Sequence, residues 1–471
     1  MMQKIKNSIF LTFLAIFVIL SFYDGEASKE GEGNTGGWEA GVAHTEITPE
    51  TPIWMAGYAS RDHPSEGTLH NLWAKALALE DNSGRKAVLV TSDLLGFPKG
   101  LSDRIRNKLE KKYDLSRDQV ILNSSHTHTG PVLQDALYDI YPLDDEERQK
   151  IEQYSSELKD QIVTLVGEAL ASVEPAKLYS KNGVVRFQVN RRNNDSELLN
   201  RQTDLNGPND YAVPVIKVED EEGKLMAVAF GYACHPTTLS FYKWSGDYPG
   251  FAQLELEKSH PGATAIFFQG AGGDQNPLPR RSVGLARQYG RELAFAVERV
   301  LNEDMRELAP HLSTAYSEVE LPLSGPPGEE DLAELAEDAS GYQKRWAGRL
   351  LEKLKQGESL RSSYPYPVQV WRLGDQPLVS LGGEVVIDYA IRLKRMFGQD
   401  LFVMSYSNDV MAYIPSVRIL REGGYEGATS QMVYGLPGTW EADIETRIIQ
   451  EILDLARQAG VTMPEAELVG N

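Results

Sequence analysis

QVILNSSHTHTGP, residues 119–131, sets the reading of this chain. QVIL is a short apolar run closed by polar residues, the pattern of a buried strand. AVLVT at 87–91 is a second such run, and between them residues 101–113 space their apolar side chains as a helix does, with charges on the outer face. The same order recurs: a strand at 225–233, a helix at 250–259, a strand at 263–268 and a long helix at 283–302. A further unit follows, with a strand at 378–381, a helix at 386–396 and a strand at 402–406. Alternating strands and helices predict an α/β fold. Residues 326–362, with DLAELAEDA and RWAGRLLEKLKQ, read as charged surface helices, an insertion or lid. No Pro/Gly linker divides the body, so one large domain is expected over residues 38–471.

The chain has 471 residues, 41% hydrophobic and 24% charged, enough to bury a sizeable core. A net charge of -21 argues against nucleic acid as partner, because phosphate affinity comes from Lys and Arg neutralising the backbone. It also disfavours docking on an anionic membrane through a polybasic patch. Lys4 and Lys6 precede an apolar run at 9–22, broken only by Thr12 and Ser21, too short for a comfortable membrane span and suited to an export signal. The expected cut follows Ala27, although Asp24 and Glu26 are atypical so near a cleavage site; a retained N-terminal anchor is the alternative. Exported (periplasmic or secreted) and without a membrane span after cleavage, the chain would begin with a Gly/Glu/Ser-rich disordered leader over 28–37. Cys234 is the only cysteine, which rules out an intrachain disulfide and a multi-thiolate metal site. A bound metal would need His, carboxylate or other oxygen ligands.

Residues two apart on an extended segment share a face, so His126 and His128 can reach one ion or one substrate together; two unrelated surface histidines are the competing reading. His235, in YACHPTTLS, again follows an apolar run, and a residue before proline is pushed toward extended geometry. It is the natural second imidazole, or else a structural histidine. FFQGAGGDQNPLP, residues 267–279, is a Gly-rich turn that lets backbone approach a ligand, but it lacks the Lys-Ser/Thr of a nucleotide-binding loop. Asp274 and Asn276 would project from it into the cleft, unless the turn is merely structural. Glu384, in SLGGEVV, fits a helix N-terminal carboxylate or a metal ligand. YSNDVMAYIPS carries two tyrosines, Tyr406 and Tyr413, of which Tyr413 fits a ligand, an oxyanion donor or core packing.

In this order the strings resemble the catalytic domain of the neutral/alkaline non-lysosomal ceramidases, zinc amidases that cleave the N-acyl bond of ceramide. The resemblance runs through GVAHTEITPE and MAGYASR (41–61), GTLHNLWAKALAL (67–79), SSHTHTGP (124–131) and FQVNRR (187–192). It continues through ACHPTTLS (233–240), GGDQNP (272–277), LGGE (381–384), SYSNDVMAYIPS (405–416) and GYEGAT (424–429). It implies a large mixed-sheet domain with layered sheets flanked by helices. It also implies one Zn²⁺ per chain, held by His126, His235, Glu384 and Tyr413. His128 would then lie behind the ligands or against substrate, and Arg191 would contact substrate, with Arg192 as the alternative one residue on. Asp274 or His128 would take up a proton, and Tyr406, Tyr425 or Arg191 would steady an oxyanion. The implied substrate is a small or lipid-like N-acylated amide. An ester, lactone or glycoside, or binding without turnover, are the alternatives. Two departures stand out: Asn276 occupies the place of an active-site serine, and the chain ends at Asn471, shortly after the catalytic domain should end, so the C-terminal immunoglobulin-like domain is expected to be missing.

Overall fold

The computed structural model describes residues 36–195 and 204–463. The expected export signal, and the leader up to residue 35, lie outside them. From Gly36 onward the described residues fall in one compact unit.

Period-two alternation builds the layers, because successive Cβ atoms point to opposite faces of a strand. In strand Lys86–Ser92, Val88 and Val90 face helices Lys99–Tyr113 and Asp145–Ala171, meeting Ile105, Leu109 and Leu158. Ala87 and Leu89 face the other way, onto Trp371, Leu378 and Phe402 of a second sheet. At the far end of the first sheet, Phe230 and Phe267 pack under helices Asp247–Ser259 and Val283–Leu301. The second sheet turns Val379, Leu381 and Val403 toward helices Ile387–Phe397 and Ile444–Gln458. The order is helix, sheet, sheet, helix. Strands buried on both faces, such as Lys86–Ser92 and Val120–Ser124, read as near-continuous apolar runs.

Among the described residues the first sheet has nine strands. Eight run in the order Thr264–Gln269, Leu225–Tyr232, Ala212–Asp220, Glu174–Val184, Trp38–Glu46, Trp73–Glu80, Lys86–Ser92, Val120–Ser124, and Arg306–Glu307 pairs beside Glu174–Val184. The first and last pairs of that order are parallel and those between are antiparallel. Each parallel pair is a strand–helix–strand unit, as the alternation in the sequence predicts. The second sheet runs Leu312–Pro322, Ser363–Leu373, Gln376–Leu381, Phe402–Met404, with its last pair parallel. The edges of the first sheet approach each other: the Gln269 N–H donates to Asn123 Oδ1 (2.9 Å). Ser405 ties both to the second sheet, donating its N–H to the Gln269 carbonyl (2.9 Å) and accepting from Asn123 Nδ2 (2.7 Å). Several strand ends meet there.

The strand expected at 402–406 stops at Met404, because Tyr406 and Asn408 take left-handed backbone (φ 54° and 65°) that leaves the β region. The charged stretch 326–362 forms helices Glu329–Asp338 and Gly341–Lys355, packed on each other through Leu332, Trp346 and Leu350. Among the described residues no helix is long and apolar enough to cross a membrane.

Candidate metal centre

His126, His235 and Tyr406 each lie on a loop just past the C-terminal end of a strand, and Glu384 follows strand Gln376–Leu381 as the first residue of the short strand Glu384–Val385, which pairs in parallel with Tyr413–Ile414. His126 is left-handed (φ 65°), a conformation costing an L-residue about 1–2 kcal/mol. Its neighbours hold it there: the Ser125 N–H donates to the Ser92 carbonyl (2.9 Å) and Thr127 Oγ1 to the Ser245 carbonyl (2.7 Å). Gly57 (φ 103°) lets its loop lie against the His128 ring, where a Cβ would fall 2.5 Å from ring atoms. Gly383 (φ 69°) turns Glu384 inward, and a Cβ there would sit 2.7 Å from the Ala412 carbonyl oxygen.

The buried rings of His126 and His235 are oriented alike. His126 Nδ1 donates to the Leu95 carbonyl (2.6 Å), and His235 Nδ1 donates to the Gly272 carbonyl (2.6 Å). A carbonyl can only accept, so each Nδ1 carries the proton and each Nε2 is left as a bare acceptor, the arrangement usual for metal-bound imidazole. Glu384 Oε2 lies 2.9 Å from His235 Nε2 and 3.2 Å from His126 Nε2. The Tyr413 hydroxyl is 3.3 Å from His235 Nε2. Three acceptors converge on one point, where a bound cation would satisfy them together. Bonds of about 2.0–2.2 Å around a tetrahedral zinc place neighbouring ligand atoms roughly 3.3–3.5 Å apart, close to these separations. The residues therefore fit a metal ion.

His128 differs. Its Nε2 is 3.2 Å from His126 Nε2, and one ligand atom from each of His126, His128 and His235 lies within 4.8 Å of the others. Its Nδ1 is sealed from solvent without a partner, so no carbonyl fixes its tautomer. Burial, with the neighbouring charges of His126 and His235, holds His128 well below the usual imidazole value. Burial likewise lowers His235 to about 4, although Glu384 pulls the other way. Both rings are neutral near pH 7, as metal ligation or proton acceptance requires.

The other expected residues surround this cluster. The Tyr406 ring lies 4.3 Å from that of His126, and its buried hydroxyl has no partner among the described residues. Arg191 Nη2 donates to the Tyr413 hydroxyl (3.1 Å) and its Nε to Glu426 Oε1 (2.7 Å). Arg192 turns away to Glu422 and Glu426, so of the two arginines it is Arg191 that reaches the cluster. Asp274 has both carboxylate oxygens engaged, Oδ1 by the Ile387 N–H (2.9 Å) and Oδ2 by Asn190 Nδ2 (2.8 Å). Asn276 lines a recess of about 550 Å³ together with Arg191, Arg280 and Tyr425.

Residues 38–278, half of the chain, match the family described as "Neutral/alkaline non-lysosomal ceramidase, N-terminal". The chain belongs to this family. Neutral ceramidase from Pseudomonas aeruginosa is 28% identical over 251 residues, which cover 50% of this chain and 36% of that protein. Neutral ceramidase A from Dictyostelium discoideum is 27% identical over 303 residues, 58% of this chain and 42% of that protein. The matched segments thus span well under half the length of these relatives. The crystal structure of the Pseudomonas aeruginosa neutral ceramidase superposes with a TM-score of 0.70 at 19% identity, over 92% of this chain and 76% of that one. A ceramidase complexed with C2 gives 0.71 at 18% identity. The ceramidase fold therefore extends past the family match at residue 278, into the part of the chain where Glu384–Val385 and Tyr413–Ile414 pair as a separate parallel two-stranded ribbon.

Within this ceramidase-family site, Tyr434 was not read from the sequence. Its hydroxyl donates to Glu384 Oε1, the oxygen turned away from the histidines. QMVYGLPG carries no pattern that marks it. Glu426, within GYEGAT, anchors both arginines.

Proposed function

We propose that this chain is an exported, zinc-dependent hydrolase that cleaves the N-acyl amide bond of ceramide or a related N-acylated lipid. The observation that carries the reading is the convergence of bare acceptors from His126, His235 and Glu384, with Tyr413 beside them, in a ceramidase-family fold. These four residues would hold one zinc per chain. The ion would supply Lewis acidity toward the amide carbonyl and lower the pKa of a water toward about 7. Export rests on Lys4, Lys6 and the apolar run at 9–22.

The chain's own groups divide the remaining work. His128, neutral and without a fixed tautomer, takes the proton from the attacking water as the carbon–oxygen bond forms. It returns that proton to the nitrogen as the carbon–nitrogen bond breaks, leaving a fatty acid and an amine. The unpartnered Tyr406 hydroxyl and the Arg191 guanidinium supply donors for the oxyanion. Asp274 has a positioning role: with both oxygens engaged, it ties the Gly-rich turn to the start of helix Ile387–Phe397, two residues after the loop that carries Glu384.

The test is release of fatty acid from a panel of N-acylated amides by the full chain. Release is expected, with loss on chelation and recovery on adding Zn²⁺. Cleavage of esters alone, or one tightly bound zinc with no turnover on any amide, would overturn the amidase reading.

A further inference from the structure

The wall of the recess beside the cluster is cationic in an otherwise acidic chain. Arg280 reaches it from the strand-and-turn segment after the Gly-rich loop, and Nη1 donates to Thr237 Oγ1 (3.2 Å). Thr237 Oγ1 in turn donates to Asn276 Oδ1 (3.4 Å). With its oxygen so engaged, Asn276 has only its Nδ2 group to offer the recess. Among the described residues, neither Arg280 nor its neighbour Arg281 forms an ion pair; Arg281 instead donates to the Tyr58 hydroxyl (2.8 Å), whose ring lies 4.8 Å from that of His128. Of the carboxylates on this wall, Glu426 is already bound by both Arg191 and Arg192, and Asp195 has a partner of its own. Burial, then repulsion from Arg281 and Arg191, lowers the Arg280 guanidinium from its ordinary value. Among the described residues no carboxylate pairs with Arg280, and Arg191 links this wall to the metal cluster through the Tyr413 hydroxyl.

We propose that the recess receives an anionic group, a carboxylate, sulfonate or phosphate, carried by the substrate close to the scissile amide, with Arg280 and Asn276 as its donors. The natural substrate class is then an acidic N-acylated amphiphile, such as an N-acyl amino acid, rather than a neutral ceramide. This rests on the amide-hydrolase reading of the same site.

The test uses the zinc-loaded full chain and three sulfonamide analogues that cannot be hydrolysed as amides: N-dodecylsulfonyl-glycine, N-dodecylsulfonyl-taurine and the neutral N-dodecylsulfonyl-ethanolamine. Calorimetric Kd values should favour the acids by about tenfold or more, the worth of a charge-assisted hydrogen bond. The carboxylate and sulfonate arms show which anion fits better. Arg280→Gln should bring the acid-to-neutral ratio near one at unchanged zinc content. If that variant misfolds, wild-type protein serves instead, since the ratio should shrink as salt rises. Equal binding of acid and neutral analogues, or a ratio insensitive to both Arg280→Gln and salt, would overturn the proposal. Turnover of N-dodecanoylethanolamine with no charge preference would keep the hydrolase and discard the acidic substrate. A charge preference with no turnover of any amide would keep the anion-binding recess and discard both the hydrolase and its acidic substrate.

Discussion

Replacing Tyr434 by Phe removes one oxygen from the metal centre without touching a proposed ligand. The Tyr434 hydroxyl donates to Glu384 Oε1, while Oε2 faces His126 and His235. Glu384 is 2% exposed, so water cannot readily replace the lost donor. A hydrogen bond to a buried charge is worth about 1.5–3 kcal/mol, or roughly a 10- to 150-fold change in an equilibrium constant. Outer partners of metal ligands, when mutated, typically cost about 10–100-fold in affinity, which agrees. Tyr434→Phe should therefore weaken zinc binding by about one to two orders of magnitude. The sign of its pH dependence follows as well. Losing the donor raises the Glu384 pKa, so protons compete with zinc at higher pH, and the deficit should widen as pH falls. Competition against a chromophoric chelator, at several pH values and for both proteins, reads the change. A Kd within twofold of wild type throughout would refute the role given to Glu384 and its tyrosine.

Further outcomes follow from other positions. His128→Gln should keep its zinc and lose about 10²–10⁴ in kcat, the usual worth of a general base; loss of the metal would make His128 a ligand instead. Asn276→Ser should raise cleavage of neutral ceramide analogues several-fold if the position faces the scissile bond, and no change at full zinc content would mean that the pocket has been rebuilt around it. Burial raises the Asp409 carboxyl to about 7, against the bond donated by Tyr364 Oη (2.7 Å). The folded protein then keeps a proton that the unfolded chain gives up above about pH 4, so stability falls as pH rises from about 4 to 7. Asp409→Asn escapes that loss and should gain stability relative to wild type, on the order of a few kcal/mol, at pH 8 but not at pH 4. Urea unfolding at the two pH values checks it, and an equal difference at both would contradict it.

Much of the framework is legible in the sequence. Runs such as AVLVT and QVIL are apolar on both faces because two-sided burial demands it, and both parallel units of the first sheet could be read from them. Helix Asp145–Ala171 escaped notice although Ile151, Leu158, Ile162 and Val166 line its buried side, because long charged stretches dilute that stripe. Strand Ser363–Leu373 was hidden by Pro365 and Pro367, which argue against a central strand. In the structure they pair on one side only, with Glu320 and Glu318, while the neighbour on the other side begins at Val368. The missing N–H groups cost no ladder bonds there. At the site, the histidines and Glu384 announced themselves by following strand ends. Tyr434 did not, since its reach to Glu384 is set by tertiary packing. Nor could spacing alone separate His126 from His128; that distinction lies in the Leu95 carbonyl, which fixes one ring and not the other.

The most direct test is an anomalous difference map at the zinc edge from crystals of the full chain grown with one equivalent of Zn²⁺. A single peak is expected about 2.0–2.2 Å from His126 Nε2, His235 Nε2, Glu384 Oε2 and the Tyr413 oxygen, with His128 outside bonding distance. No peak at the cluster, or one held by His128 with Glu384 uninvolved, would contradict the account.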